Sequence, residues 1–273
     1  MTERRRLAEL DRVASAGGRE ELGLYSLEGT RLLERALRAG APLRAVLCGR
    51  TYAASAEPRV QDLLGALEGV ELHVLEDEEL RRRTQGRSFG EVLALVERPV
   101  EPELEPVLRE ERPGFRPTLL VVVDADDPGN VGALVRTALA TGALALVAVG
   151  LTDPLHPKAV RTSMGSVFRL PVLRRHSPGA LLTELRAAGV RSVAAVCEGG
   201  SSPGQLAASA SPTALWVGSE AHGLPPDLPA LLEERATIPM PPGVDSLSVN
   251  AAAAVLLHDL TAGPSSPAAG GHP

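Results

Sequence analysis

The sequence predicts an α/β protein whose larger part is a parallel sheet covered by helices on both faces. Three observations carry this. The runs Leu119–Val123 and Leu144–Val149 are almost continuously apolar, as strands buried on both faces are. Segments of helical periodicity separate these runs. The stretch "RPVEPELEPVLREERPGFRP", with five prolines and many charges, interrupts the alternation and divides the chain. The expected organisation is a small α/β domain over 1–98, a proline-rich linker over 99–117, a parallel-sheet domain over 118–262, and a low-complexity tail over 263–273.

In the first part, Leu27–Ala39 has helical spacing, with Leu32, Leu33, Ala36 and Leu37 recurring on one face, and it stops at Gly40. Leu43–Cys48 reads as a strand, Val60–Leu67 as a helix, and Val70–Leu75 and Glu91–Glu97 as strands. In the second part, strands are expected at Leu119–Asp124, Leu144–Val149, Ser192–Cys197, Ala214–Val217 and Thr237–Met240. Helices are expected at Asn130–Ala140, Pro157–Met164, Gly179–Ala188, Pro226–Leu232 and Leu247–Leu260. Ligands of such sheets sit beyond the carboxyl ends of the strands, so the loops there are where to look.

Bulk properties narrow the function. No apolar run approaches the roughly 18 residues that a membrane span needs, and no signal core follows the arginines at the start, so a cytoplasmic protein is expected. Cys48 and Cys197 stand in separate strand-like runs, and neither they nor the six histidines have metal-ligand spacing. No metal is expected. A net charge of −6 argues against a general nucleic-acid coat protein, yet leaves room for a local patch. Lys158 is the sole lysine, so cationic recognition falls to arginine, whose planar fork matches phosphate oxygens two at a time. The obvious cluster is "RRRTQGR", with Arg81, Arg82, Arg83 and Arg87. It reads either as a phosphate-contacting patch or as a solvated turn.

Three loops stand out. The first is "DADDPGNVGALVRTALATGA". Val131, Leu134, Val135, Ala138 and Leu139 form an apolar stripe, and Arg136 lies roughly 140° from its centre at ~100° per residue, which makes it solvent-facing. Asn130 reads as a helix cap or as a site residue. Gly132 costs about 1 kcal/mol against alanine in a helix, which points to close packing there. The second loop is "LWVGSEAHGLPPDL". Gly218 ends a strand and would let a ligand approach the main chain, whereas Glu220 is otherwise a surface charge. The third is "TIPMPPGVDSLSVNAAAAVLLHDL". Asp245 or Ser246 would cap a helix whose Ala251–Leu257 part carries no charge, leaving Ser246, Ser248 and Asn250 at the mouth of a buried element. No G-x-G-x-x-G turn follows Val123, which argues against a dinucleotide-dependent oxidoreductase.

Together, "DPGNVGALVRTALATGA", "VGSEAHGL" and "IPMPPGVDSLSV", in that order, resemble the motifs of SpoU-type (TrmH-like) RNA ribose 2′-O-methyltransferases of the SPOUT superfamily. "HPKAVRTSMGSVFRLPV" resembles the stretch between the first two motifs. Upstream, "YSLEGTRLLERALRAGAPLRAVL" and "RRRTQGRSFGEVLALVE" resemble the small ribosomal-protein-like RNA-binding domain often fused to that fold. The resemblance implies a SPOUT parallel sheet with a C-terminal trefoil knot. It also implies S-adenosyl-L-methionine bound between the second and third loops, and a homodimer. By motif position, Gly218, Ile238 and Leu247 would contact the cofactor through their backbones, with Val217, Met240 and Ser248 beside them. Asn130, Arg136, Glu220 and Ser246 would form the catalytic set. The implied reaction is methylation of a ribose 2′-hydroxyl in structured RNA, with rRNA favoured and tRNA as the other substrate. A non-catalytic RNA-binding or ribosome-assembly protein on the same scaffold is the alternative. One departure stands out: the family's Ser-Leu-Asn-Val is here Ser246-Leu247-Ser248-Val249, with Asn250 two places on. Either Ser248 with a water replaces the amide or the cofactor contact is altered, because Asn250 lies about 200° around a helix from position 248.

Overall fold

A computed structural model describes residues 2–84, 91–206 and 211–262. The chain forms two compact units: Met1–Val100 with Leu155–Arg169, and Glu101–Pro154 with Leu170–Pro273.

The first unit is built on four strands, β1 (Leu24–Glu28), β2 (Leu43–Gly49), β3 (Glu71–Leu75) and β4 (Val92–Glu97), in the order β1-β4-β2-β3. Only β2 and β3 run parallel. Leu27, expected to open a helix, belongs to β1, where it pairs with Ala94 and is buried. Gly29 ends that strand at φ 96°, and the helix is Thr30–Arg38. A local helical period could not reveal a pairing partner some 65 residues away. The helix Thr2–Arg12 supplies Arg6, a guanidinium only 3% exposed, which bonds Glu9 and both oxygens of Glu71. Pro157–Thr162, from far along the chain, packs against β1. This helix is shorter than expected because the chain reverses at Met164 (φ 52°) and Gly165 (φ 84°).

The second unit is a six-stranded, wholly parallel sheet: β5 (Thr118–Val123), β6 (Ala145–Val149), β7 (Val172–Arg175), β8 (Arg191–Ala195), β9 (Thr213–Val217) and β10 (Glu234–Ala236), ordered β10-β8-β9-β5-β6-β7. β5, β6 and β9 are buried throughout, as their apolar runs require, and Trp216 is fully enclosed. Helices Pro128–Ala140 and Val249–Thr261 pack together, and the latter also lies on β5, β8 and β9. The proline-rich stretch is not wholly irregular, since Leu104–Leu108 is helical and buries Leu104 and Val107 in the core.

Several expected elements shift. The strand expected at Thr237–Met240 is instead β10, where Ala236 pairs with Ala195. Pro239 lacks the N–H a ladder needs, so pairing stops once the Thr237 N–H has met the Ser201 carbonyl. The helix expected from Leu247 starts at Val249, with Ser248 as its cap, so Asp245 and Ser246 do not cap it. The helix expected over Pro226–Leu232 shrinks to Leu228–Leu231, and β7 was not expected at all.

Candidate active site

Because the sheet is parallel, the carboxyl ends of β8, β9 and β10 open onto one edge. A cavity of about 570 Å³ lies there. Its walls come from the end of β8 (Ala195, Val196, Cys197), from the loop after β9 (Val217 to Gly223), and from Ile238, Met240 and the segment Ser246–Val249. All six residues expected to hold a cofactor, Val217, Gly218, Ile238, Met240, Leu247 and Ser248, therefore line one space, joined by Glu220 and Ser246. The end of β8 was not singled out from sequence, although the rule that ligands sit past strand ends applies to it equally.

Loop closure by itself requires a glycine at 218. The loop folds back so that Ser219 and Gly223 exchange both backbone hydrogen bonds, at 3.1 and 2.8 Å. A Cβ at Gly218 would lie 2.0 Å from the carbonyl of Gly223. The closed turn presents Glu220, Ala221 and His222 at its exposed tip.

Asn130 is not the helix cap. Asp127 caps Pro128–Ala140 by accepting from the N–H groups of Gly129 and Asn130, and Pro128 fills the first helical position. That frees the Asn130 amide, which donates from Nδ2 to Glu220 Oε2 at 2.5 Å and accepts at Oδ1 from Asn250 Nδ2 at 3.1 Å. One residue from each of the three motif loops thus meets in a single chain of hydrogen bonds. Asn250 does not stand in for position 248; its partner is Asn130. Ser248 accepts from the Ala251 N–H as the cap of its helix while also lining the cavity.

Arg136 is exposed on the same helix as Asn130 and forms no hydrogen bond or ion pair among the described residues. Ser246 is exposed within 241–248, where the apolar Val244 and Leu247 are also 46% and 40% exposed. The arginine cluster is the last turn of Asp77–Arg83, whose first turn is acidic, so the charges match the helix dipole at both ends. Arg81 pairs with Glu78, Arg83 pairs with Asp11 and Glu79, and Arg82 reaches only the Glu78 carbonyl; Arg87 lies outside the described residues.

The lining has a carboxylate and no lysine or arginine. With apolar side chains from Val196, Val217, Ile238 and Leu256, this donor set suits a nucleoside-sized cationic ligand and is unsuited to a pyrophosphate. Among the described residues no group of acidic, histidine and cysteine side chains is arranged to hold a metal ion. Cys197 is exposed at the cavity, whereas burial, aided by Asp77, pushes the Cys48 thiol up to about 11.

Comparison with known proteins agrees with this geometry. The model of the SpoU rRNA methylase family matches residues 117–258. The chain is 28% identical to the 23S rRNA (guanosine(2553)-2′-O)-methyltransferase RlmP of Bacillus subtilis, over 89% of this chain and 90% of that protein. It is 30% identical to an uncharacterised tRNA/rRNA methyltransferase of Synechocystis, over 92% and 88%. Among solved structures, the SpoU methyltransferase AviRb of Streptomyces viridochromogenes in complex with AdoMet superposes with a TM-score of 0.78 at 27% identity, covering 93% of this chain and 96% of that one.

Proposed function

This chain belongs to the SpoU rRNA methylase family, and we propose that it transfers a methyl group from S-adenosyl-L-methionine to a ribose 2′-hydroxyl of ribosomal RNA. The observation that carries this reading is the convergence of the three motif loops: two of them wall the cavity, and Asn130 ties the first to its edge through Glu220.

Val217, Gly218, Ile238, Met240, Leu247 and Ser248 would hold the cofactor against the apolar wall. When bound, S-adenosyl-L-methionine supplies an electrophilic methyl on a positively charged sulfur. The apolar wall would shield the bound group from water on that side, and Glu220 places a negative charge at the lip. Arg136 would grip a phosphate of the target strand. Its guanidinium would act as a fixed positive charge that favours ionisation of the nearby hydroxyl, and not as a base. Holding hydroxyl and methyl in line is worth up to about 7–11 kcal/mol. Ser246 stands at the cavity edge within reach of the same space.

The first unit would select the RNA, and the 23S rRNA substrate of the Bacillus relative favours rRNA over tRNA. A groove there is lined by Arg82, Arg83, Lys158 and Arg161, with Asp11 and Glu28 facing them, and it supports a phosphate contact made by side chains far apart in sequence. The exposed apolar side chains of Ala251 and Val255 on the helix Val249–Thr261 support a homodimer. The non-catalytic alternative draws on Ser248, but its hydroxyl both caps a helix and lines the cavity, so the departure has a structural role of its own.

Tritiated S-adenosyl-L-methionine incubated with the protein and ribosomal RNA from a strain lacking it tests the reading. We expect label in one alkali-resistant dinucleotide and saturable cofactor binding by calorimetry. Binding without transfer to any RNA would favour the alternative; neither binding nor transfer would overturn the methyltransferase reading.

A further inference from the structure

Asn250 is the one polar side chain between Val249 and Leu257 in a helix otherwise made there of alanine, valine and leucine. Its Nδ2 donates to Asn130 Oδ1, and its own Oδ1 is buried with no hydrogen-bond partner. The direction of this chain is imposed from its far end. A carboxylate only accepts, so Asn130 must turn its NH₂ to Glu220 and its oxygen to Asn250. Asn250 must then turn its NH₂ to Asn130, which leaves its own oxygen enclosed without a donor. A buried acceptor in that state costs stability, and an apolar side chain at 250 would avoid the cost. Packing alone therefore does not explain an asparagine here.

We propose that Asn250 is a positioning residue: it locks the amide of Asn130, and through it fixes where the Glu220 carboxylate sits at the lip of the methyl-transfer cavity. This inference rests on the functional reading above. Glu220 is exposed at the tip of the closed Ser219–Gly223 turn, and Asn130 is half-buried. Without Asn250, the Asn130 side chain can rotate away, and the carboxylate loses the contact that joins it to the neighbouring helix. Asn250 itself does not line the cavity, so it acts on the reaction through Asn130 and not by touching the cofactor.

The test uses the full-length enzyme with steady-state methyl transfer, cofactor titration and thermal unfolding. In Asn250→Ala, kcat should fall about tenfold, the size expected for losing one hydrogen bond to a charged network, while cofactor Kd stays within about twofold. Its Tm should be unchanged or higher, because the enclosed acceptor is gone. Asn250→Asp has the same shape but no N–H to donate when ionised. It would draw the Asn130 NH₂ toward itself and turn the Asn130 oxygen on Glu220, so kcat should fall further than in the alanine variant. In an Asn130→Ala background neither change should cost more than about a further twofold, since the connection is already cut. The isosteric aspartate keeps the test open if the alanine variant is not recovered folded. The inference is overturned by kcat within about twofold of wild type, by losses that multiply with that of Asn130→Ala, or by a loss expressed only as weaker cofactor binding. A wild-type protein that transfers no methyl overturns the methyltransferase reading and this inference with it. An active wild type with indifferent variants overturns this inference alone.

Discussion

Arg136 shows both the reach and the limit of reading single residues. Its helical position relative to the stripe Val131, Leu134, Val135, Ala138 and Leu139 puts it in solvent, and in the structure it is exposed while all of the stripe but the half-buried Leu139 is buried. Helical geometry suffices for that. In the proposed role the planar fork matters as well as the charge. Arg136→Lys should therefore lower kcat about tenfold or more, since hydrogen bonds to charged groups are worth about 1.5–3 kcal/mol, with cofactor affinity unchanged. Turnover near the wild-type rate would mean that a point charge is enough. Asn130 and Asn250 were harder to read. Each was visible as a polar residue at a helix start, but their shared hydrogen bond joins positions 120 apart in sequence, which no local period encodes. Ser248 looked like a defect at the level of its side chain alone; its role as a cap became evident only with the helix start in place.

Among the elements, the legible ones were those that tertiary contacts merely confirm. β5, β6 and β9 are enclosed on both faces, so their sequences are apolar without interruption and announce themselves. β7 is an edge strand of four residues, two of them arginines, and Arg175 is held by Glu184 and Glu101, so the apolar signal shrinks to Val172 and Leu173, too short to announce a strand. Leu104–Leu108 was concealed by the prolines around it, though two of its residues anchor it in the core. The loop after β9 yields a prediction at this scale. Gly218→Ala places a methyl against the Gly223 carbonyl, and the Ser219–Gly223 pairing must open to admit it. Overpacking of this kind typically costs about 1–3 kcal/mol, and here it also moves the cavity wall, so cofactor affinity should drop about tenfold or more. Calorimetry and a melting curve check both effects; intact affinity would show that the turn tolerates the methyl.

At the scale of the whole molecule, charge pairs set the response to acid. The hydrogen bonds from Arg6 hold the Glu71 carboxyl down to about 2, against 4.5 for the free group. The unfolded chain therefore takes up this proton first as pH falls, and stability decreases progressively from about pH 4.5 to about pH 2. Arg175 likewise depresses Glu184 in the second unit through its side-chain hydrogen bonds. Glu71→Gln should lower Tm at neutral pH and flatten its decline over that acid window, as followed by circular dichroism; an unchanged acid limb would assign the decline to other carboxylates. None of this was legible in the sequence, where Arg6 appeared only as one of three adjacent arginines near the start, and its enclosure depends on β3.

The placement of Leu155–Arg169 bears on how the protein can be taken apart. The backbone passes from one unit to the other three times, at 100–101, at 154–155 and at 169–170. A fragment starting at residue 101 would carry Ala159, Val160 and Val167, all enclosed in the intact chain, without the strands they shelter against. A clean excision of either half would need scissors applied at all three places and a new splice, across 100 and 155 for the first unit or across 154 and 170 for the second, so a gene built by simple truncation would yield neither half whole.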